Sequence, residues 1–255
     1  MDTTKIALQL YTVREQAQQD LNNTLSQLAE AGYRAVELAG FYGLTPQDLR
    51  NRLDEFGLKA VSAHISLKDF EANSAQVFEN LHTLDCAYAV VPFVPEERRQ
   101  SKEQFYQLAE ILNDLAQKAQ AQNFKFAYHN HAFEFASIEG TSLWQVLQEK
   151  TDPNLVKLEL DLYWAKFAGF EPLELLQKYG SRFPLLHMKD MSTAETREDL
   201  PVGEGRLPWP SILEIAESAG VDWYIVEQDH PRDAMDDVKR SLANLQQLMS
   251  ASLAS

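Results

Sequence analysis

Pro184-Leu185-Leu186-His187-Met188-Lys189-Asp190 is the stretch that decides the fold: a short apolar run delivers a histidine, a lysine and an aspartate at its carboxyl end, and nothing after it continues the run. A buried parallel strand presents polar groups in this way. Three other segments end alike: Lys125-Phe126-Ala127-Tyr128-His129-Asn130-His131, Val156-Lys157-Leu158-Glu159-Leu160-Asp161 and Trp223-Tyr224-Ile225-Val226-Glu227. Strands that each finish on a His, Asp or Glu point to one shared site.

Outward from these segments the same unit repeats along the chain. Ile6 to Val13 reads as a first strand, followed by Leu21, Leu25, Leu28 and Ala29 at helical spacing until Gly32. Ala35 to Ala39 is a second strand, and Thr45-Pro46 opens a helix with a cap residue and a proline at the first helical position. Lys59 to Ile65 is a third strand. Tyr88 to Val94 is a fourth, its proline tolerable near the end. The longest helix runs between Lys102 and Gln122, with Phe105, Leu108, Leu112 and Leu115 on its inner stripe. Strands five to eight are the segments quoted above. Strand-like and helical runs alternate through residues 1–255 with no linker rich in Pro, Gly or Ser, and each unit is complete before the next begins. That pattern predicts an α/β fold, a single-domain (β/α)8 barrel, whose catalytic residues sit at the carboxyl ends of the strands.

Composition narrows the partners. The 255 residues are 45% hydrophobic, enough for one sizeable core, and carry a formal net charge of −15 that repels phosphate backbones, so nucleic acid is not expected. Cys86 is the only cysteine, which excludes an internal disulfide and a thiolate metal cluster, and it reads as a buried small hydrophobe. No segment approaches the roughly 18 consecutive apolar residues of a membrane span. Met1-Asp2-Thr3-Thr4-Lys5 runs into a strand without a signal-like core, so the expected location is cytoplasmic. A monomer and a homo-oligomer are both consistent with the chain.

Side chains alternate along a strand. In Val156 to Asp161 the apolar Val156, Leu158 and Leu160 face the helices, and Lys157, Glu159 and Asp161 point into the barrel, with Asp161 at the top and Lys157 and Glu159 expected to pair below it. Asp161, His187, Glu227 and a fourth group from His129 to Glu134 form a nitrogen and oxygen ligand set without sulfur, suited to one divalent ion: Mn, Zn, Mg, Fe or Co.

Taken in order, Tyr128-His129-Asn130-His131 with Phe133-Glu134-Phe135, then Leu160-Asp161, then His187-Met188-Lys189-Asp190, then Val226-Glu227, resembles the xylose-isomerase-like TIM-barrel superfamily of sugar (phosphate) isomerases and epimerases. Gln9 to Arg14, Ser62-Ala63-His64 and Gly203 to Leu207 agree with it, so the resemblance spans essentially the whole chain. It implies a divalent metal held by Glu, Asp, His and Glu from strands five to eight. Asp161, His187 and Glu227 match the last three, whereas strand five ends in His129 where the ketose 3-epimerases carry glutamate. Either His129 is the ligand or Glu134 reaches back to the metal. Reach favours His129 and the family's two-glutamate habit favours Glu134. We assign Glu134, with Asp161, His187 and Glu227, as the metal set, and His129 and His131 to the substrate pocket.

The resemblance further implies a metal-dependent sugar isomerase or epimerase that moves a proton beside a carbonyl through an enediolate. Glu227 and Glu134 would be its acid/base groups, Lys189 would stabilise the developing charge, and His64, Trp164 and Arg206 would join His129 and His131 around a small sugar or keto-sugar. Asp190 is expected to hold Lys189 or His187. An inosose dehydratase-like lyase is the alternative within the same barrel. From other classes come a metal-dependent endonuclease, opposed by the net charge, and a non-catalytic sugar-binding barrel.

Overall fold

The computed structural model describes residues 1–251. Its eight long strands are Ile6–Gln9, Ala35–Leu38, Lys59–His64, Tyr88–Val91, Lys125–His129, Val156–Asp161, Leu185–Met188 and Trp223–Val226. They close into one parallel barrel in which each strand pairs with its sequence neighbours and the first pairs with the last, the (β/α)8 architecture expected from the alternation. Helices cover the outside, and a continuous apolar layer between them and the barrel holds Leu28, Val36, Leu112, Leu160, Leu186 and Ile212 among its fully buried members.

A second, smaller apolar group lies inside the barrel: Ala7, Ala35, Val61, Tyr88, Val90, Ala127, Leu185 and Ile225. It forms the floor of the site. On five of these strands the next inward position, two residues on, is polar: Gln9 above Ala7, Glu37 above Ala35, His129 above Ala127, His187 above Leu185 and Glu227 above Ile225. Register aligns these columns, because Asp161 pairs with His187, Ile225 with His187, and His129 with Glu159. The period-2 pattern therefore stacks a charged layer over an apolar plug at the carboxyl end of the barrel.

Some boundaries differ from the sequence reading. The first strand stops at Gln9, because the Gln9 side chain accepts from the Tyr11 N–H and turns the chain into a 3-10 helix over Leu10–Val13. The fourth strand stops at Val91, before Pro92. The helix expected after the first strand is two, Arg14–Gln19 and Leu21–Ala31, broken at Asp20, whose backbone is extended and whose carboxylate caps Asn23. Lys157 does not pair with Glu159. Its ammonium turns to the bottom of the barrel and donates to the carbonyls of Pro153 and Ser181. Cys86 is buried, as expected. Among the described residues no helix is long and apolar enough to cross a membrane.

Candidate active site

Above the apolar floor, two groups of candidate ligands overlap. His129, Asp161, His187 and Glu227 each bring one donor atom within 4.8 Å of the others, and His64, Glu159, His129 and His187 do the same one step deeper. Each is delivered by the end of a different strand, except that Glu159 and Asp161 share the sixth. His187 is the hinge between the two groups. Its Nδ1 lies 2.8 Å from Glu227 Oε2, and its Nε2 lies 2.8 Å from Glu37 Oε1 and 3.1 Å from Glu159 Oε2. Asp161 divides its oxygens: Oδ1 caps the helix Leu162–Phe167 by accepting from the Trp164 N–H, while Oδ2 faces the group. The aspartate serves both as helix cap and as part of the site.

Lys189 is fully buried at the top of the His187 column, and its ammonium lies 2.6 Å from Glu227, 2.7 Å from Asp229 and 2.9 Å from Asp161. Burial opposes its charge, but these carboxylates raise its pKa well above the ordinary lysine value. The same balance acts on His64, where burial is outweighed by Glu37 and Glu159 and the imidazole is raised to about 10. His187 is raised by Glu159, Glu227 and Glu37. His129 goes the other way: burial, then the His187 imidazolium, holds it well below the usual range, so it presents a neutral imidazole. Burial and Lys189 lower His131 to about 3.

This donor set fits a divalent cation. It offers two imidazole nitrogens and two carboxylates with no sulfur. Around it Glu37, Glu159, Asp161, Glu227 and Asp229 bring five carboxylates against the cations His64 and Lys189 and the His187 imidazole, whose proton a metal at its Nδ1 would replace. Asp161 Oδ2 is paired with the Lys189 ammonium at 2.9 Å, whereas Glu159 Oε1 and Glu37 Oε2 are buried without a hydrogen-bond partner. Buried carboxylate oxygens without a partner call for water or a cation, and a divalent ion suits this donor set.

Glu134, assigned from the sequence as the first ligand, is not among the residues of these two groups. A 3-10 turn over Phe133–Phe135 aims its carboxylate at the Tyr128 hydroxyl (2.8 Å) and the His131 N–H (2.7 Å). His129 stands in both groups. Asp190 holds neither Lys189 nor His187 but accepts from the loop 203–209. Arg206 is exposed, with its guanidinium against the Met191 sulfur, away from the group. His64 and His131 line the mouth, and Trp164 sits 5.7 Å from the His131 ring and 5.8 Å from the Lys189 ammonium. Glu159 was read from the sequence only as a partner for Lys157, and Asp229 was not singled out. The available signal was spacing, since Glu159 lies two residues before Asp161 and Asp229 two after Glu227.

Glu134 gives a pH-dependent prediction. Burial raises its carboxyl from the usual 4.5 to about 7, with the Tyr128 and His131 bonds offsetting part of the rise. The folded chain thus binds this proton more tightly than the unfolded one. The stabilisation is fully present below about pH 4.5 and is lost as pH rises through about 7. Relative to the parent, Glu134→Gln should flatten the fall in stability between pH 5 and pH 8 by on the order of 2 kcal/mol, measured by urea unfolding at the two pH values.

A closed parallel barrel with a histidine and carboxylate group at its strand ends defines the class: a (β/α)8 barrel whose strand ends carry a group that could hold a metal ion. The chain belongs to the xylose isomerase-like TIM barrel family, whose model matches residues 25–248. It is 31% identical over 196 residues to an inosose dehydratase of Geobacillus kaustophilus (strain HTA426), a match covering 67% of this chain and 62% of that one, so the matched part is less than two thirds of the relative's length. A sugar phosphate isomerase/epimerase from Parabacteroides distasonis ATCC 8503 superposes with a TM-score of 0.82 at 26% identity, covering 96% of this chain and 94% of that chain. The IolI protein with a bound zinc atom shares the fold, with a TM-score of 0.75 at 16% identity over 97% of this chain and 99% of that one.

Proposed function

We propose that this protein removes a proton from the carbon beside the carbonyl of a polyhydroxylated ketone, with a divalent metal held by His129, Asp161, His187 and Glu227. The observation that carries the reading is the convergence of those four side chains within 4.8 Å at the mouth of the barrel. The zinc in the IolI structure supports a metal at such a site. A bound divalent ion supplies a Lewis acid that draws charge onto the carbonyl oxygen and acidifies the neighbouring C–H. Glu227 is the proton acceptor. It reaches the cavity at the mouth together with His64, His129 and His131. Lys189 keeps Glu227 and Asp161 in place and holds positive charge beside the carboxylates.

Elimination of water is the outcome we favour. Both outcomes need a proton donor, for the leaving hydroxyl in elimination and for the opposite face of the carbon in epimerisation, and His64, which lines the mouth and is raised to about 10, is the imidazole that carries one there. The identity to an inosose dehydratase supports elimination, and the superposition on a sugar phosphate isomerase/epimerase supports the isomerase reading. One experiment tests the function and separates the outcomes. Protein loaded with Mn, Co, Zn or Mg is incubated in deuterated water with ketoses, keto-glycosides and inososes. The expected result is deuterium beside the carbonyl or loss of water, abolished by chelation. No exchange and no elimination on any of them under any metal would overturn the reading.

Glu37 adds a prediction that does not need the substrate. Its Oε1 accepts from Gln9 (2.7 Å) and lies 2.8 Å from His187 Nε2, so it fixes which way the His187 ring points its other nitrogen. Partners of this kind are typically worth about 10–100-fold in metal affinity. Glu37→Gln should weaken divalent cation binding by about that factor in a chelator competition.

A further inference from the structure

The cavity at the mouth, about 490 Å³, adjoins a second of about 480 Å³ that lies between the turn after the second strand and the helix Leu67–Thr83. The two share Gly40, His64 and Asp69 as lining. Each alone falls within the roughly 300–1,000 Å³ that takes a small ligand. Together they exceed what one six-membered ring needs.

The outer groove has a defined chemistry. Phe41, Ile65 and Val77 give it an apolar floor, and Asn73, Gln76 and Asn80 carry side-chain amides along its helical wall. The helix is interrupted at Asn73 (φ −163°, ψ 81°), whose side chain re-caps the chain by accepting from the Gln76 N–H. Exposed Tyr11 and Phe93, 43% and 44% accessible, stand at the rim of the mouth. Among the described residues no lysine or arginine lines either cavity, and Asp69 contributes negative charge to both. The His64 imidazolium, which lines both, is already paired with Glu37 at 3.1 Å and Glu159 at 2.7 Å, so a phosphate would find no unpaired cation among the lining residues. Amides over apolar and aromatic surface match a neutral unit that has hydroxyls on its edge and C–H groups on its faces.

We propose that the substrate carries a second, uncharged polyhydroxylated unit of about hexose size, seated in this groove while the keto ring occupies the mouth. The inference rests on the proton-transfer reading above and extends it from a single ring to a glycoside. The test uses metal-loaded full-length protein and deuterium exchange into 3-keto-glucose, 3-keto-glucose 6-phosphate and the 3-keto forms of trehalose, maltose and cellobiose. At least one keto-disaccharide is expected to have kcat/KM about 10-fold or more above 3-keto-glucose. Ala72→Trp, at an exposed helical position on the groove, fills it without touching the ligands. It should raise KM for that disaccharide about 10-fold and leave 3-keto-glucose unchanged. Asn80→Ala should move the same KM in the same direction. Equal use of single-ring and two-ring substrates by the parent, an equal loss on both in Ala72→Trp, or preference for the phosphorylated sugar would overturn the glycoside proposal and leave the proton-transfer reading standing. Exchange with none of the probes or the wider ketone and inosose panel would overturn both.

Discussion

Glu227→Gln is expected to lower deuterium exchange beside the substrate carbonyl by about 10³-fold, the loss of about 4 kcal/mol of barrier stabilisation, while the barrel stays folded. Glu227 stands one residue past the eighth strand, with Oε2 2.8 Å from His187 Nδ1 and 2.6 Å from Lys189 Nζ. Burial alone would favour its neutral form, but Lys189 and His187 hold its carboxyl far below the usual range, so it is ionised at neutral pH, and the same two cations lower its basicity. An amide at the same position keeps the shape and one acceptor oxygen but has no useful proton affinity. The fold should tolerate the change because Lys189 retains Asp161 at 2.9 Å and Asp229 at 2.7 Å, so no buried ammonium is stranded. Exchange rates are to be read beside metal content and thermal midpoint. A rate near the parent's, with metal bound, would remove Glu227 from the chemistry and leave it a ligand only. A variant that has lost its metal is to be measured at saturating metal, so that binding and proton transfer are read separately.

The charged layer was legible because strand geometry has a period of two. Leu185, His187 and Lys189 form one column, Ala127, His129 and His131 another, and reading them needs only alternation and the rule that barrel sites lie at carboxyl ends. What was not legible depends on distances across the barrel or on a single turn. Lys157 and Glu159 share a face, but two residues along a strand are roughly 6–7 Å apart. The lysine drops to carbonyls at the barrel bottom, and the glutamate meets His64, His129 and His187 from three other strands. Where Glu134 points depends on the Phe133–Phe135 turn, which aims its carboxylate back at Tyr128. Residue spacing measures how far a side chain could reach, whereas the turn sets where it points. For Asp190 the alternation rule was sufficient and pointed away from the pairing expected. As the neighbour of inward-facing Lys189 it faces outward, into a loop that the linear sequence does not place beside it.

That loop makes Asp190→Ala the substitution with the largest expected cost to stability, about 4 kcal/mol. Asp190 is fully buried, and its two oxygens accept from Met191 N (2.8 Å), Leu207 N (3.1 Å), Gly203 N (3.0 Å), Gly205 N (2.9 Å) and Trp209 Nε1 (2.6 Å). One carboxylate thus organises the whole return of the chain from the seventh strand to the helix Trp209–Ala219. Backbone comes so close that a Cβ on Gly205 would lie 2.2 Å from Met191 O and 2.3 Å from Asp190 Oδ1, so only glycine fits there. Alanine would leave these donors facing a void. Each buried donor without an acceptor costs about 1–3 kcal/mol, and admitted water recovers part of the sum. Asparagine should recover only part, because its amide turns hydrogens toward groups that also donate. Urea unfolding followed by circular dichroism measures the difference, and an alanine variant within about 1 kcal/mol of the parent would mean that the loop finds other acceptors and that Asp190 does not organise it. Because Asp190 directly follows Lys189, loosening the loop should also free the ammonium column. The alanine variant is therefore expected to weaken divalent cation binding at temperatures well below its unfolding midpoint, an effect that a purely peripheral loop would not transmit.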